Sequence, residues 1–194
     1  MVTTRLGIIA GILLLLIAGC DLRYEPTPIP PPNAPSANQS PAQEATEPLP
    51  DLTGKVIGVI DGDTVDILTA DKETIRIRFN GIDCPERGQP FGNNAKQFVS
   101  DSIGGKMVRI VTHGGDKYDR TVGDIYADDD LVNLSLVEAG LAWHYVQYAP
   151  DRSDLADAEV KARASNIGLW GGSHKPIAPW AWRKLSKEER DELR

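Results

Sequence analysis

Three short stretches of the chain hold residue types that do chemistry. Asp61-Gly62-Asp63-Thr64 sets two carboxylates either side of a glycine. Arg78-Phe79-Asn80-Gly81-Ile82-Asp83-Cys84-Pro85-Glu86 sets two carboxylates about a proline, five and eight residues after an arginine. Asp116-Lys117-Tyr118-Asp119-Arg120 mixes two cations, an aromatic ring and two aspartates. Carboxylates are hard oxygen donors of the kind Ca²⁺ takes. A carboxylate also accepts a proton from water when geometry favours it, despite an ordinary pKa of about 4.3 for Glu. Guanidinium groups hold phosphate oxygens in a planar fork. Each stretch has a plainer reading when taken alone. Asp-Gly is a common hairpin signal, and Asp63 could serve only that turn. Arg78 could be a solvated strand face like Arg76. Arg120 could pair with Asp116 or Asp119, and Glu86 could be loop charge.

The elements around these stretches are legible from periodicity. Residues 55–60 and 64–68 read as strands about the Asp-Gly turn. Thr74–Asn80 alternates, with Ile75, Ile77 and Phe79 on one face and Arg76 and Arg78 on the other. Residues 107–111 and 121–127 read as two more strands, followed by the acidic tip Asp128-Asp129-Asp130. Asn94–Ile103 reads as a helix stopped by Gly104-Gly105. Asn133 is placed to cap a helix running to Gly140, and Ser153 to cap one over 154–166. Ser186 to Glu189 spells a capping box for a short terminal helix. Five strands with about three helices predict an α+β, mainly β, fold: a five-stranded OB-type barrel. Trp143, Trp170, Trp180 and Trp182 read first as packing residues, with base stacking as the lesser alternative. His113, His144 and His174 are scattered and suggest no metal site.

The first fifty residues differ in kind. Leu6 to Gly19 carries no charge and follows Arg5, the pattern of a signal-peptide core. It is shorter than the roughly 20 residues of a membrane span, and an uncleaved anchor helix is the plainer alternative. The run ends Ile17-Ala18-Gly19-Cys20, which looks like the lipobox of bacterial lipoproteins and marks Cys20 for lipidation. Asp21 resembles the signal that keeps such proteins at the inner membrane of Gram-negative cells. Nine of the fourteen prolines fall between Asp21 and Pro50, so this stretch is expected to be a disordered tether. The expected organisation is therefore 1–19 signal peptide, 20–50 lipidated cysteine and tether, and 51–194 one folded domain. With Cys20 lipidated, Cys84 has no disulfide partner. Two of the 21 Lys and Arg and four of the 28 Asp and Glu precede residue 51, so the domain carries a net charge of −5. That is not the usual footprint of a nucleic-acid binder; such an activity needs a local basic site or a bound cation.

Taken together, DGDT at 61–64, IRIRFNGIDCPE at 75–86, DKYDR at 116–120, VNLSLVEAGLA at 132–142, AEVKARASNIGLW at 158–170 and PWAWR at 179–183 resemble the staphylococcal (micrococcal) nuclease family. The resemblance runs through nearly all of 51–194. It implies Ca²⁺ held by Asp63, Asp83 and the backbone carbonyl of Cys84, with waters and the substrate phosphate completing the shell. It implies Glu86 as the general base, Arg78 and Arg120 on the scissile phosphate, and Lys117 and Tyr118 on a flanking phosphate. The implied activity is sugar-non-specific hydrolysis of DNA and RNA to 3′-phosphate products. Single-stranded or flexible segments are the expected substrates, with little sequence reading.

Two departures stand out. Asp119 replaces a glycine common in the family, and its charge beside Arg120 is expected to weaken phosphate binding. The family's later tyrosine has two candidates, Tyr145 and Tyr148, with Val146 at the ungapped position. The expected protein is a monomeric nuclease, extracytoplasmic and lipid-anchored to the cell membrane. The alternatives are a catalytically silent barrel that binds nucleic acid or protein at the membrane surface, and a structural lipoprotein indifferent to loss of Asp63, Asp83 and Glu86.

Overall fold

A computed structural model of the protein describes residues 51–172 and 175–193. The expectations for the signal peptide, Cys20 and the proline-rich stretch lie outside the described residues. The chain forms β1 (Leu52–Asp61), β2 (Thr64–Leu68), β3 (Thr74–Phe79), β4 (Ile82–Asp83), α1 (Gly92–Ile103), β5 (Met107–Gly115), β6 (Thr121–Ala127), β7 (Asp130–Leu131), α2 (Val132–Glu138), β8 (Trp143–His144), α3 (Ser153–Ala164), a 3₁₀ turn (Gly168–Gly171), α4 (Pro179–Trp182) and α5 (Lys187–Glu192).

Five strands run in the order β3-β2-β1-β5-β6, and a parallel β3–β6 pairing joins the two ends. The result is the closed, mixed barrel expected of an OB-type fold. Closure removes the free sheet edges. The alternation in Thr74–Phe79 is realised: Ile77 and Phe79 are buried and Ile75 half-buried. Val56, Val65, Ile67, Val108, Ile110 and Ile125 complete the barrel interior, with α1 adding Ala95, Val99 and Ile103 and α2 adding Leu136 and Val137. β5 runs past Val111 to Gly115 because β6 pairs with it that far, across an irregularity between Thr112 and Gly115. No apolar alternation in Thr112–Gly115 announces this.

The three expected helices are α1, α2 and α3; α5 has the expected capping box, Ser186 with Glu189. α4 was not legible, being four residues held by packing of Pro179 and Trp182. Two expected caps are corrected. Asn133 does not cap α2, which starts at Val132. It is fully buried: its Oδ1 accepts from Ile125 N–H, and its Nδ2 donates to the carbonyls of Asn80 and Gly123 and to Asp124. Ser153 likewise lies inside α3, with Arg152 at the boundary. Arg152 instead pairs with Asp124 and Asp154 and anchors the helix start. Among the described residues no helix is long and apolar enough to cross a membrane.

Candidate active site

The site is built where the β1–β2 turn, the end of β3 and β4 meet. Asp61 pairs with Thr64 across the turn. Gly62 does not take a left-handed backbone, so the turn is not of the primed hairpin type. Glycine is required there for space: a Cβ would lie 2.6 Å from Ala95 Cβ and 2.9 Å from Cys84 Cβ. The close approach of α1 and β4 thus fixes where Asp63 points. Asp63 Oδ2 accepts the Cys84 N–H at 2.7 Å, and Asp61 Oδ1 accepts the Asp63 N–H at 3.2 Å.

Arg78 pairs across β2–β3 with Thr64. It shares a strand face with Arg76, yet the two arginines have different fates. Arg76 is half exposed and forks onto Asp66. The side chain of Arg78 is only 13% exposed, and its Nη2 lies 3.1 Å from Asp63 Oδ2 and 2.9 Å from Asp83 Oδ1. Its Nη1 donates to the Phe79 carbonyl. Burial works against its charge, but Asp63 and Asp83 outweigh that and raise its pKa. Asp83 is 1% exposed. Burial, then repulsion from Asp63, push its carboxyl up to about 6 against the pull of Arg78 and Arg183. Asp61 is pushed up to about 6 by burial and by Asp63. Burial drives the Cys84 thiol well above its ordinary range, so the sulfur stays protonated and inert.

Glu86 lies on the irregular turn between β4 and α1. Its N–H donates to Gln89 Oε1 at 2.9 Å. At Gly92, which opens α1, a Cβ would lie 2.3 Å from the Glu86 carbonyl, so glycine lets the turn close on the helix. The carboxylate meets an arginine that the sequence did not single out. Arg183, just past α4, donates from Nε to Glu86 Oε1 at 2.6 Å and from Nη2 to Asp83 Oδ1 at 2.6 Å and Oδ2 at 2.9 Å. PWAWR marked the segment as a motif, but nothing local said where its arginine would point.

The third stretch caps the β5–β6 connection. Asp116 Oδ1 accepts from the N–H groups of Tyr118 and Arg120, and Arg120 grips Asp116 Oδ2 from Nε and Nη2. Burial opposes ionisation of Asp116, but these bonds win and lower its pKa. The carboxylate on Arg120 is therefore Asp116, not the Asp119 on which the sequence reading placed the charge effect. Asp119 has φ 59, a left-handed backbone that explains why glycine suits the position. Tyr118 is 66% exposed, with Lys117 Nζ 5.0 Å and Arg120 Cζ 5.4 Å from its ring centroid. Closure of the barrel brings this turn to the site: Thr121 pairs with Ile77 and Val122 with Arg78.

Of the two candidate tyrosines, Tyr145 is half-buried and stacked on Trp180 (centroids 5.2 Å, planes 6° apart), and its N–H bonds the Gly81 carbonyl. Tyr148 is exposed and meets Tyr145 edge-on. Trp143 and Trp182 are buried packing residues, and Trp143 meets Trp170 edge-on.

Residues 76–172 match the family model described as "Staphylococcal nuclease homologue". The chain is also 39% identical over 135 residues to an uncharacterized endonuclease of Haemophilus influenzae, a match covering 70% of this chain and 75% of that one. The chain belongs to the staphylococcal nuclease family. It is 36% identical over 147 residues to a micrococcal nuclease of Shigella flexneri, covering 71% of this chain and 83% of the relative. It is 34% identical over 152 residues to Protein ParB of Escherichia coli, covering 73% and 85%. The span matched to the staphylococcal nuclease family model holds Arg78, Asp83, Cys84, Glu86 and the 116–120 turn; Asp63 precedes it and Arg183 follows it.

Among the described residues no three His, Cys, Asp or Glu side chains form a ready-made metal cage. The donor set nonetheless fits a hard cation that keeps water and substrate ligands. Asp63 and Asp83 converge closely enough to share one guanidinium nitrogen. Their mutual repulsion, visible in the raised pKa of Asp83, favours any cation placed between them.

Proposed function

We propose that the protein is a Ca²⁺-dependent, sugar-non-specific nuclease that hydrolyses DNA and RNA to 3′-phosphate products. The observation that carries this is the convergence of Asp63 and Asp83 on one nitrogen of Arg78, beside Glu86. A cation-binding pair, a buried guanidinium and an exposed carboxylate are the parts that phosphodiester hydrolysis needs.

In this reading Asp63, Asp83 and the backbone carbonyl of Cys84 would hold Ca²⁺, which when bound would supply a hard Lewis acid and neutralise phosphate charge. Glu86 accepts a proton from the attacking water as its oxygen bonds to phosphorus. The bond from phosphorus to the 5′ oxygen breaks, that oxygen takes up a proton from solvent, and Glu86 afterwards returns its proton to solvent. Arg78 and Arg120 hold the phosphate oxygens, whose charge rises in the transition state. Arg120 must turn from Asp116 toward substrate to do so. Lys117 and Tyr118, exposed on the neighbouring turn, take a flanking phosphate. The acidic net charge is tolerable because recognition is of backbone at a local positive site.

Asp83→Ala is expected to weaken Ca²⁺ binding, while Glu86→Gln leaves it nearly intact and lowers kcat by about a hundredfold. Calorimetric Ca²⁺ titration and steady-state hydrolysis of a DNA oligonucleotide, with and without chelator, test both. Equal loss of Ca²⁺ binding in the two variants would overturn the division of roles. End-group analysis of the products tests the side of cleavage.

The placement we propose is outside the cytoplasm, with lipid on Cys20 holding a monomeric enzyme to the membrane, the inner one in a Gram-negative cell. The support is the apolar run before Cys20, the small residues at Ala18-Gly19 and the proline-rich stretch after it.

A further inference from the structure

The C-terminal segment Lys175–Arg183 grips the turn that carries Glu86 at two independent points. The first is through Gln89, which is 6% exposed. Gln89 Oε1 accepts the Glu86 N–H at 2.9 Å, and its Nε2 donates to the Ile177 carbonyl at 2.6 Å. The second is Arg183, whose Nε binds the Glu86 carboxylate while Nη2 binds both oxygens of Asp83. One link fixes the backbone of Glu86 and the other its side chain. The segment itself is held by buried Pro179 and Trp182 and by Trp180 stacked on Tyr145. Arg183 also lies beyond the residues matched to the family model.

Glu86 needs such support. It lies on no strand or helix, and its side chain is 38% exposed. A free glutamate there would sample several rotamers. A base on a mobile side chain loses rate steeply, since a displacement of about 1 Å costs on the order of a hundredfold. A planar fork suits the task because it can hold two carboxylates in fixed relation, which a point charge cannot.

We propose that Arg183 is a positioning residue for Glu86, and that Lys175–Arg183 works as a buckle setting the base against Asp83. This rests on Glu86 being the general base.

The test is a double-mutant cycle in the full chain, with Arg183→Gln and Glu86→Gln singly and together, and Arg183→Lys beside them. Hydrolysis of a single-stranded DNA oligonucleotide is measured with saturating Ca²⁺. Arg183→Gln is expected to lower kcat about ten- to a hundredfold with KM within about twofold. In the Glu86→Gln background the same change should cost less than about threefold, because contacting residues that act as a unit are not additive. Arg183→Lys should recover only part of kcat. Calorimetric titration should show Ca²⁺ binding no weaker in Arg183→Gln, since the guanidinium competes for Asp83. Thermal unfolding of Arg183→Gln, beside Arg183→Lys, which keeps the stem and charge, guards against loss of fold as the cause.

Equal losses in both backgrounds, or a loss carried by KM, would mean that Arg183 touches substrate and would overturn the proposal. So would full recovery by lysine, which would reduce the role to charge alone, or weakened Ca²⁺ binding, which would place it at the cation site. If Glu86→Gln alone keeps wild-type kcat, the general-base assignment fails first and this inference falls with it, an outcome distinct from the others.

Discussion

At the scale of single residues, the site is a contest between burial and charge. Asp61 and Asp83 both have carboxyls pushed up to about 6 from an unfolded value of 3.8. At these two positions, between about pH 4 and pH 6, the folded, metal-free protein therefore holds more protons than the unfolded chain does. The stability these two groups contribute is full below about 3.8 and is lost as pH rises through 6. A cation at the proposed Asp63–Asp83 site would offset the Asp83 share of that loss, but only once Asp83 ionises. Saturating Ca²⁺ should raise the unfolding temperature clearly at pH 7.5 and little at pH 5; an equal rise at both would refute this account. Asp119 is a second residue-scale case. Its left-handed backbone costs a non-glycine residue about 1 kcal/mol. Asp119→Gly should raise the unfolding free energy by at most that amount, read from the shift of the urea midpoint at constant m. Because Arg120 binds Asp116, kcat/KM at low salt should rise less than the charge at 119 alone suggests. A large kinetic gain without a stability gain would show that the charge at 119 matters more than its backbone.

At the scale of elements, the site depends on how the barrel is closed. Asn133, inside α2, binds Ile125 on β6 and the Asn80 carbonyl just after β3. It spans the β3–β6 seam that brings Arg78 beside the strand following Arg120. Asn133→Ala leaves a buried N–H without its partner and two carbonyls short of one, at a cost of about 3 kcal/mol. Urea unfolding measures this. A change within about 0.5 kcal/mol would show that water or a rearranged side chain replaces the amide. The aromatic pair Tyr145 and Trp180 plays the matching part for the C-terminal segment, tying α4 to the strand pair β4–β8 that carries Asp83.

At the scale of the whole molecule, every residue proposed to act on substrate lies beyond Asp51. A fragment of residues 51–194 should fold, remain soluble and match the full chain in kcat/KM. An inactive but folded fragment would show that the first fifty residues take part in catalysis. Cys20→Ser should abolish lipid attachment, leaving at most an uncleaved precursor. Mass spectrometry of the mature N-terminus from membranes reads this directly; an unmodified Cys20 in the native protein would remove the basis for the proposed anchoring.

What the sequence determined by itself was the set of parts. Alternation in Thr74–Phe79 announced a strand with one buried face, because side chains on a pleated strand alternate strictly. The same strictness hid a difference: Arg76 and Arg78 share a face, and no local pattern separates a solvated arginine from one folded over two aspartates. Only the packing of β4 and the β1–β2 turn against the end of β3 decides that. Gly62 was legible as a turn glycine, but its reason, the approach of Ala95 and Cys84 from elsewhere in the chain, was not. Asn133 carried the sequence signature of a cap, and burial against β6 overrode it. Arg183 stands almost a hundred residues from Glu86, and its ion pairs depend on where a four-residue helix docks. Short elements have little propensity or periodicity of their own, so their placement is set by long-range packing, which only the tertiary structure records.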